Sequence, residues 1–68
     1  MTAVVNGEPR ELPAGTTISS LLDALDVRAG ARGVAVAVDA EVVPRGEWDT
    51  TKIGDGAHVE VLHAIQGG

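Results

Sequence analysis

Ile18, Leu21, Leu22 and Leu25 fall at i, i+3, i+4 and i+7 and make one apolar stripe along a helix. The stripe covers barely more than two turns, and an isolated helix that short is unstable in water. It must lie on something, and every other segment with a period reads as strand. Thr17 stands just ahead of it as a good N-cap, because its hydroxyl can accept from a free amide in the first turn. Ser19, Ser20, Asp23 and Asp26 lie off the stripe and face water. The pattern predicts an α+β domain with one helix packed across one face of a sheet.

The strands follow from turn chemistry and alternation. Thr2 to Val5 is short and β-branched and runs into Asn6-Gly7, a strong two-residue hairpin signal because a type I′ turn needs positive φ at both positions. The returning strand, about Glu8 to Leu12, contains Pro9, which has no N–H for a ladder and therefore belongs at a sheet edge. Pro13-Ala14-Gly15 breaks the extended run, and Val27 to Arg32 leads the chain off the helix. In Gly33-Val34-Ala35-Val36-Ala37-Val38, valines take one face and alanines the other and the run is uncharged, which predicts a strand interior to its sheet. Asp39-Ala40-Glu41 reads as a turn and Val42-Val43 as a brief strand stopped by Pro44. Arg45 to Ile53 has no clean period and holds Trp48, which is assigned mainly to packing, with an interface anchor as the alternative role. Gly54-Asp55-Gly56 is a tight turn before a last strand, Ala57 to His63, with Val59 and Val61 on one face and His58, Glu60 and Leu62 on the other.

Composition narrows the function. At 68 residues the chain holds one domain. A domain of this size buries only about 60% of its unfolded surface, leaving little room for an enclosed catalytic pocket. The absence of cysteine excludes disulfides, zinc ribbons and thiol catalysis. Ten acidic against five basic residues give a net charge of −5, which argues against nucleic acid and anionic membranes as partners. No apolar run approaches a membrane span and no signal-peptide pattern opens the chain, so the expectation is a cytoplasmic protein, monomeric when free.

Side-chain catalysis finds little support. His58 and His63 are five apart on a strand, point to opposite faces and cannot chelate one metal together. Two solvated histidines are the simpler reading. Asp23 and Asp26 sit on the wet side of the helix, and no phosphate loop or dinucleotide fingerprint is present. The expectation is no catalytic residue, no metal and no bound cofactor.

The remaining feature is Ala64-Ile65-Gln66-Gly67-Gly68. Residues 1–63 are expected to form the domain and 64–68 a flexible tail. Frayed glycines are common, yet at about 7% glycine usage a Gly-Gly in the last two places arises by chance about once in 200 chains. Five extended residues reach about 17 Å, enough to enter another protein's site. Without a Cβ, Gly67 and Gly68 pass through a channel that excludes other residues, with Gln66 ahead of them. The group so delivered is a carboxylate, anionic at neutral pH and a poor electrophile. Adenylation by ATP converts it to a mixed anhydride from which sulfur or an amine displaces AMP.

These residues resemble the ThiS family, small sulfur carriers of thiamine biosynthesis, over essentially the whole chain. The resemblance starts at Val5-Asn6-Gly7-Glu8 and continues through the Thr17-capped helix with Leu21-Leu22 and the Val34–Val38 strand. It is strongest in Glu41-Val42-Val43-Pro44-Arg45-Gly46-Glu47-Trp48, in Asp55-Gly56-Ala57-His58-Val59-Glu60-Val61 and in Ala64-Ile65-Gln66-Gly67-Gly68. Gly46 and Ala57 depart from it, since the family more often carries polar residues there. The resemblance implies a β-grasp, ubiquitin-like mixed sheet with the first and last strands adjacent and parallel. It also implies a cycle. An E1-like adenylyltransferase of ThiF type activates Gly68 with ATP, which that enzyme uses and this chain does not bind. A sulfur-relay protein converts the adenylate to a thiocarboxylate, and a thiazole synthase of ThiG type accepts the sulfur. The carrier is then a cosubstrate and not an enzyme.

If Val59 and Val61 face the helix, Leu62 points outward and with Ile65 offers an apolar partner contact beside the tail. The acidic surface is a further expectation, as a means of steering the carrier onto a basic dock. Three other readings stand beside this one. The same carrier chemistry serves molybdopterin or another thiocarboxylate route. A ubiquitin-like modifier predicts isopeptide adducts. A plain interaction domain needs no Gly-Gly end.

Overall fold

In the computed structural model, residues 1–27 and 33–63 are described. The elements run β1 (Thr2–Val5), β2 (Glu8–Glu11), α1 (Ile18–Ala24), β3 (Val34–Val38), β4 (Glu41–Val43), a 3₁₀ turn (Arg45–Glu47) and β5 (His58–His63). Of the segment expected to leave the helix, residues 28–32 lie outside the described residues, as do residues 64–68, on which the expected tail falls.

Five strands form one mixed sheet in the order β2-β1-β5-β3-β4. β1 and β5 are parallel neighbours, with Val4 opposite His58 and Val5 opposite Val59, and every other pairing is antiparallel. This is the β-grasp arrangement. β2 is an edge strand, as Pro9 requires.

Alternation decides which face is covered. Ala3 and Val5 from β1, Val34 and Val36 from β3, and Val59 and Val61 from β5 share one core with Ile18, Leu21 and Leu22 of α1. Burying a leucine fully contributes about 1.5–3 kcal/mol, and Leu21 and Leu22 are both fully buried. The alanines of β3 behave differently from a strand packed on both sides. β3 is interior in strand order, yet Ala35 is exposed and Ala37 half-buried, because no layer covers the second face there.

The helix ends are set locally. Thr17 Oγ1 accepts from the Ser20 N–H at 3.2 Å, the expected cap. At the other end Val27 N–H donates to the Leu22 carbonyl at 2.8 Å and Asp26 N–H to the Asp23 carbonyl at 3.1 Å. These two bonds make a Schellman motif with Asp26, at φ 62, in the place glycine prefers.

The aperiodic stretch 45–53 turns out to be the helix's anchor. Its carbonyls at Thr51 and Trp48 accept from the N–H groups of Ile18 and Ser19, two amides of the first turn that the helix itself leaves unpaired. Trp48 is 2% exposed, its Nε1–H donates to the Val43 carbonyl at 2.9 Å, and the Arg45 guanidinium lies 4.9 Å from its ring centre. Packing, not interface anchoring, is therefore its role. Ala57 is buried in the same core.

Candidate functional site

β5 carries the chain toward the expected site, and its surroundings define what the fold offers. His58, Glu60 and Leu62 point to the uncovered face and are exposed. Leu62 is 56% exposed and stands opposite Ala35, while Glu60 stands opposite Ala37, whose other neighbour is Val42, 74% exposed. The expected outward orientation of Leu62 is thus observed, on a face it shares with Ala35, Ala37 and Val42 and with the polar His58 and Glu60. Ile65, Gln66, Gly67 and Gly68 lie outside the described residues.

Two side chains that the sequence marks only as turn residues hold β5 in place. β1 ends at the Asn6-Gly7 turn, where φ is 51 at Asn6 and 83 at Gly7, so its backbone leaves the ladder while β5 continues. The Asn6 carboxamide takes the vacated rung: Oδ1 accepts from the Val61 N–H at 2.8 Å and Nδ2 donates to the Val61 carbonyl at 3.3 Å. At the start of β5, Asp39 does the matching task from the other side. Its N–H donates to the His58 carbonyl at 2.7 Å and its Oδ1 accepts from the His58 N–H at 3.0 Å. The turn signals at both positions were visible; the reach of the side chains was not, because it depends on which strand lies alongside.

What the arrangement can do chemically is narrow. Among the described residues no cavity opens that could enclose a substrate, and no group of three or more His, Asp or Glu side chains could hold a metal ion. His58 and His63 are both exposed, on alternate sides of β5. All ten acidic side chains are exposed. No described helix is long and apolar enough to cross a membrane.

Comparison with known proteins gives a consistent picture. The model of the ThiS family matches residues 3–68. The sulfur carrier protein ThiS of Escherichia coli (strain K12) is 32% identical over 68 residues, all of this chain and all of that one. A thiazole synthase of Paramagnetospirillum magneticum is 37% identical over the whole of this chain, which spans only 20% of that protein. Among solved structures, the crystal structure of the thiamine biosynthesis protein ThiS from Geobacter metallireducens superimposes with a TM-score of 0.82 at 37% identity, covering all of both chains.

Proposed function

The chain belongs to the ThiS family, and from that premise we propose that it is a sulfur carrier protein that supplies sulfur for thiazole formation in thiamine biosynthesis, on the carboxylate of Gly68. The observation that carries this reading is the family match through residue 68, which takes in Gln66, Gly67 and Gly68. The end-to-end likeness to the E. coli carrier supports it.

The chemistry follows from the carboxylate. The Gly68 oxygen attacks the α-phosphate of ATP and expels pyrophosphate, giving an acyl-adenylate; a sulfur nucleophile then displaces AMP, leaving a thiocarboxylate. An E1-like adenylyltransferase of ThiF type performs the first step and uses the ATP. A sulfur-relay protein performs the second. A thiazole synthase of ThiG type takes the sulfur and returns the carboxylate, so the chain is a cosubstrate in the cytoplasm, not a catalyst. That a segment resembling all or 94% of this chain occurs within two longer thiazole synthases supports thiazole synthase as the acceptor. Gln66 and Gly67 thread the partner's channel, and Leu62 with Ile65 forms the apolar contact beside it. The exposure of Leu62 supports that assignment.

Intact mass after incubation with the host's activating enzyme, ATP and a sulfur source tests the reading. The expected result is a gain equal to one oxygen exchanged for sulfur, mapped to Gly68. An amide adduct on a target lysine would point instead to a protein modifier. Absence of any adenylate would remove the reading altogether.

A further inference from the structure

The carboxamide of Asn6 is placed where only one side chain does the whole task. A regular parallel ladder would set the Asn6 carbonyl and the Glu8 N–H against Val61, but the positive φ values at Asn6 and Gly7 turn the chain away into β2. The side-chain amide is itself a peptide unit in miniature, with a carbonyl that accepts and an N–H that donates. It meets both backbone groups of Val61, at 2.8 Å and 3.3 Å. Aspartate would offer only acceptors, and glutamine is longer by a methylene. Asparagine also tolerates the left-handed backbone better than most residues.

The consequence lies at the end of β5. Up to Val61 the strand is held from both sides, by Asn6 and by Val36 of β3. Beyond it, the register of Leu62 and His63 is set by β3 alone, opposite Ala35 and Val34. The geometry points to Asn6 as a positioning residue: its amide fixes Val61, and so fixes the point from which the chain runs on toward Gly68. This rests on the sulfur-carrier reading, because it is a partner's active site that needs that point fixed. Without the clamp, residues 61–63 are held on one side only and must be ordered when the carrier docks. Ordering one residue's backbone costs as much as about a tenfold loss of affinity.

Asn6→Gly isolates this effect, since glycine suits the turn and removes only the carboxamide. Asn6→Asp keeps the acceptor for the Val61 N–H and removes the donor. Amide hydrogen exchange is measured on the free full-length proteins, and adenylation is followed by pyrophosphate release with the activating enzyme and ATP, below the unfolding transition of each variant. For Asn6→Gly we expect faster exchange at Val61, Leu62 and His63, a KM for the carrier raised on the order of tenfold, and kcat within about twofold. Asn6→Asp should fall between it and the original protein. Unchanged exchange at Val61 overturns the clamp, and unchanged KM with faster exchange overturns its positioning role. If the original protein is itself not adenylated, the sulfur-carrier reading fails and this role falls with it; if the original protein is adenylated and the variants keep its KM, the Asn6 inference alone fails.

Discussion

The two hairpin turns of this fold have nearly the same backbone and different second residues, which makes a reciprocal experiment possible. Asn6-Gly7 has φ values of 51 and 83; Asp39-Ala40 has 49 and 71. Both are two-residue connections between antiparallel strands, closed by Val5 opposite Glu8 and by Val38 opposite Glu41. The left-handed region brings a Cβ close to the following carbonyl, at roughly 1–2 kcal/mol per residue. Ala40 bears that cost with no side-chain hydrogen bond to offset it, and it is exposed, so its methyl group contributes little packing. Ala40→Gly removes the strain and adds the greater unfolded freedom of glycine, about 0.5–1 kcal/mol the other way. The net expectation is stabilisation by about 0.5–1 kcal/mol, or roughly 2–8 °C in Tm for a domain of this size. Gly7→Ala should show the opposite sign and similar size, because no heavy atom lies within 4 Å of the added Cβ and the backbone alone is perturbed. Both are read from urea midpoints by far-UV circular dichroism at unchanged slope. A neutral or destabilising Ala40→Gly beside a destabilising Gly7→Ala would refute the strain assigned to the second turn.

Three further outcomes follow from the same structure. Asp26→Gly should stabilise by about 1 kcal/mol in chemical denaturation, since it relieves φ 62 and removes an acid from the negative end of the helix dipole. Trp48→Phe should cost about 1–3 kcal/mol, because the Nε1–H bond to the Val43 carbonyl is lost and nothing in phenylalanine replaces it; the midpoint by circular dichroism measures it. Leu22→Ala and Gly67→Val should separate folding from activation. The first opens a cavity worth about 2–5 kcal/mol in a fully buried position and unfolds much of the population. The second should keep the unfolding midpoint and abolish adenylation, and a Gly67→Val protein adenylated normally would sink the threading argument.

What was legible in the sequence, and what was not, divides by the range of the interaction that decides it. Local interactions were readable. Thr17 caps the helix whatever lies beyond it, Pro9 cannot sit in a central strand, and the uncharged run of alternating valines and alanines places β3 inside its sheet. The parallel pairing of β1 with β5 is not local, and it came from the family resemblance, because no period in Thr2–Val5 names its partner 53 or more residues away. The stretch 45–53 stayed opaque for a related reason: its carbonyls at Trp48 and Thr51 serve the N–H groups of Ser19 and Ile18, so its shape answers to the helix and not to its own spacing. The site shows the limit most sharply. Alternation alone places Leu62 outward, and it is exposed. Asn6 reads as a turn former and has the positive φ of one, yet that role accounts for the residue so well that nothing in the sequence asks for a second task. Only the neighbouring strand supplies one, by leaving the N–H and carbonyl of Val61 facing the place that β1 has vacated. A turn residue beside the end of a strand that outlasts its partner therefore merits a test of its side chain as well as its φ.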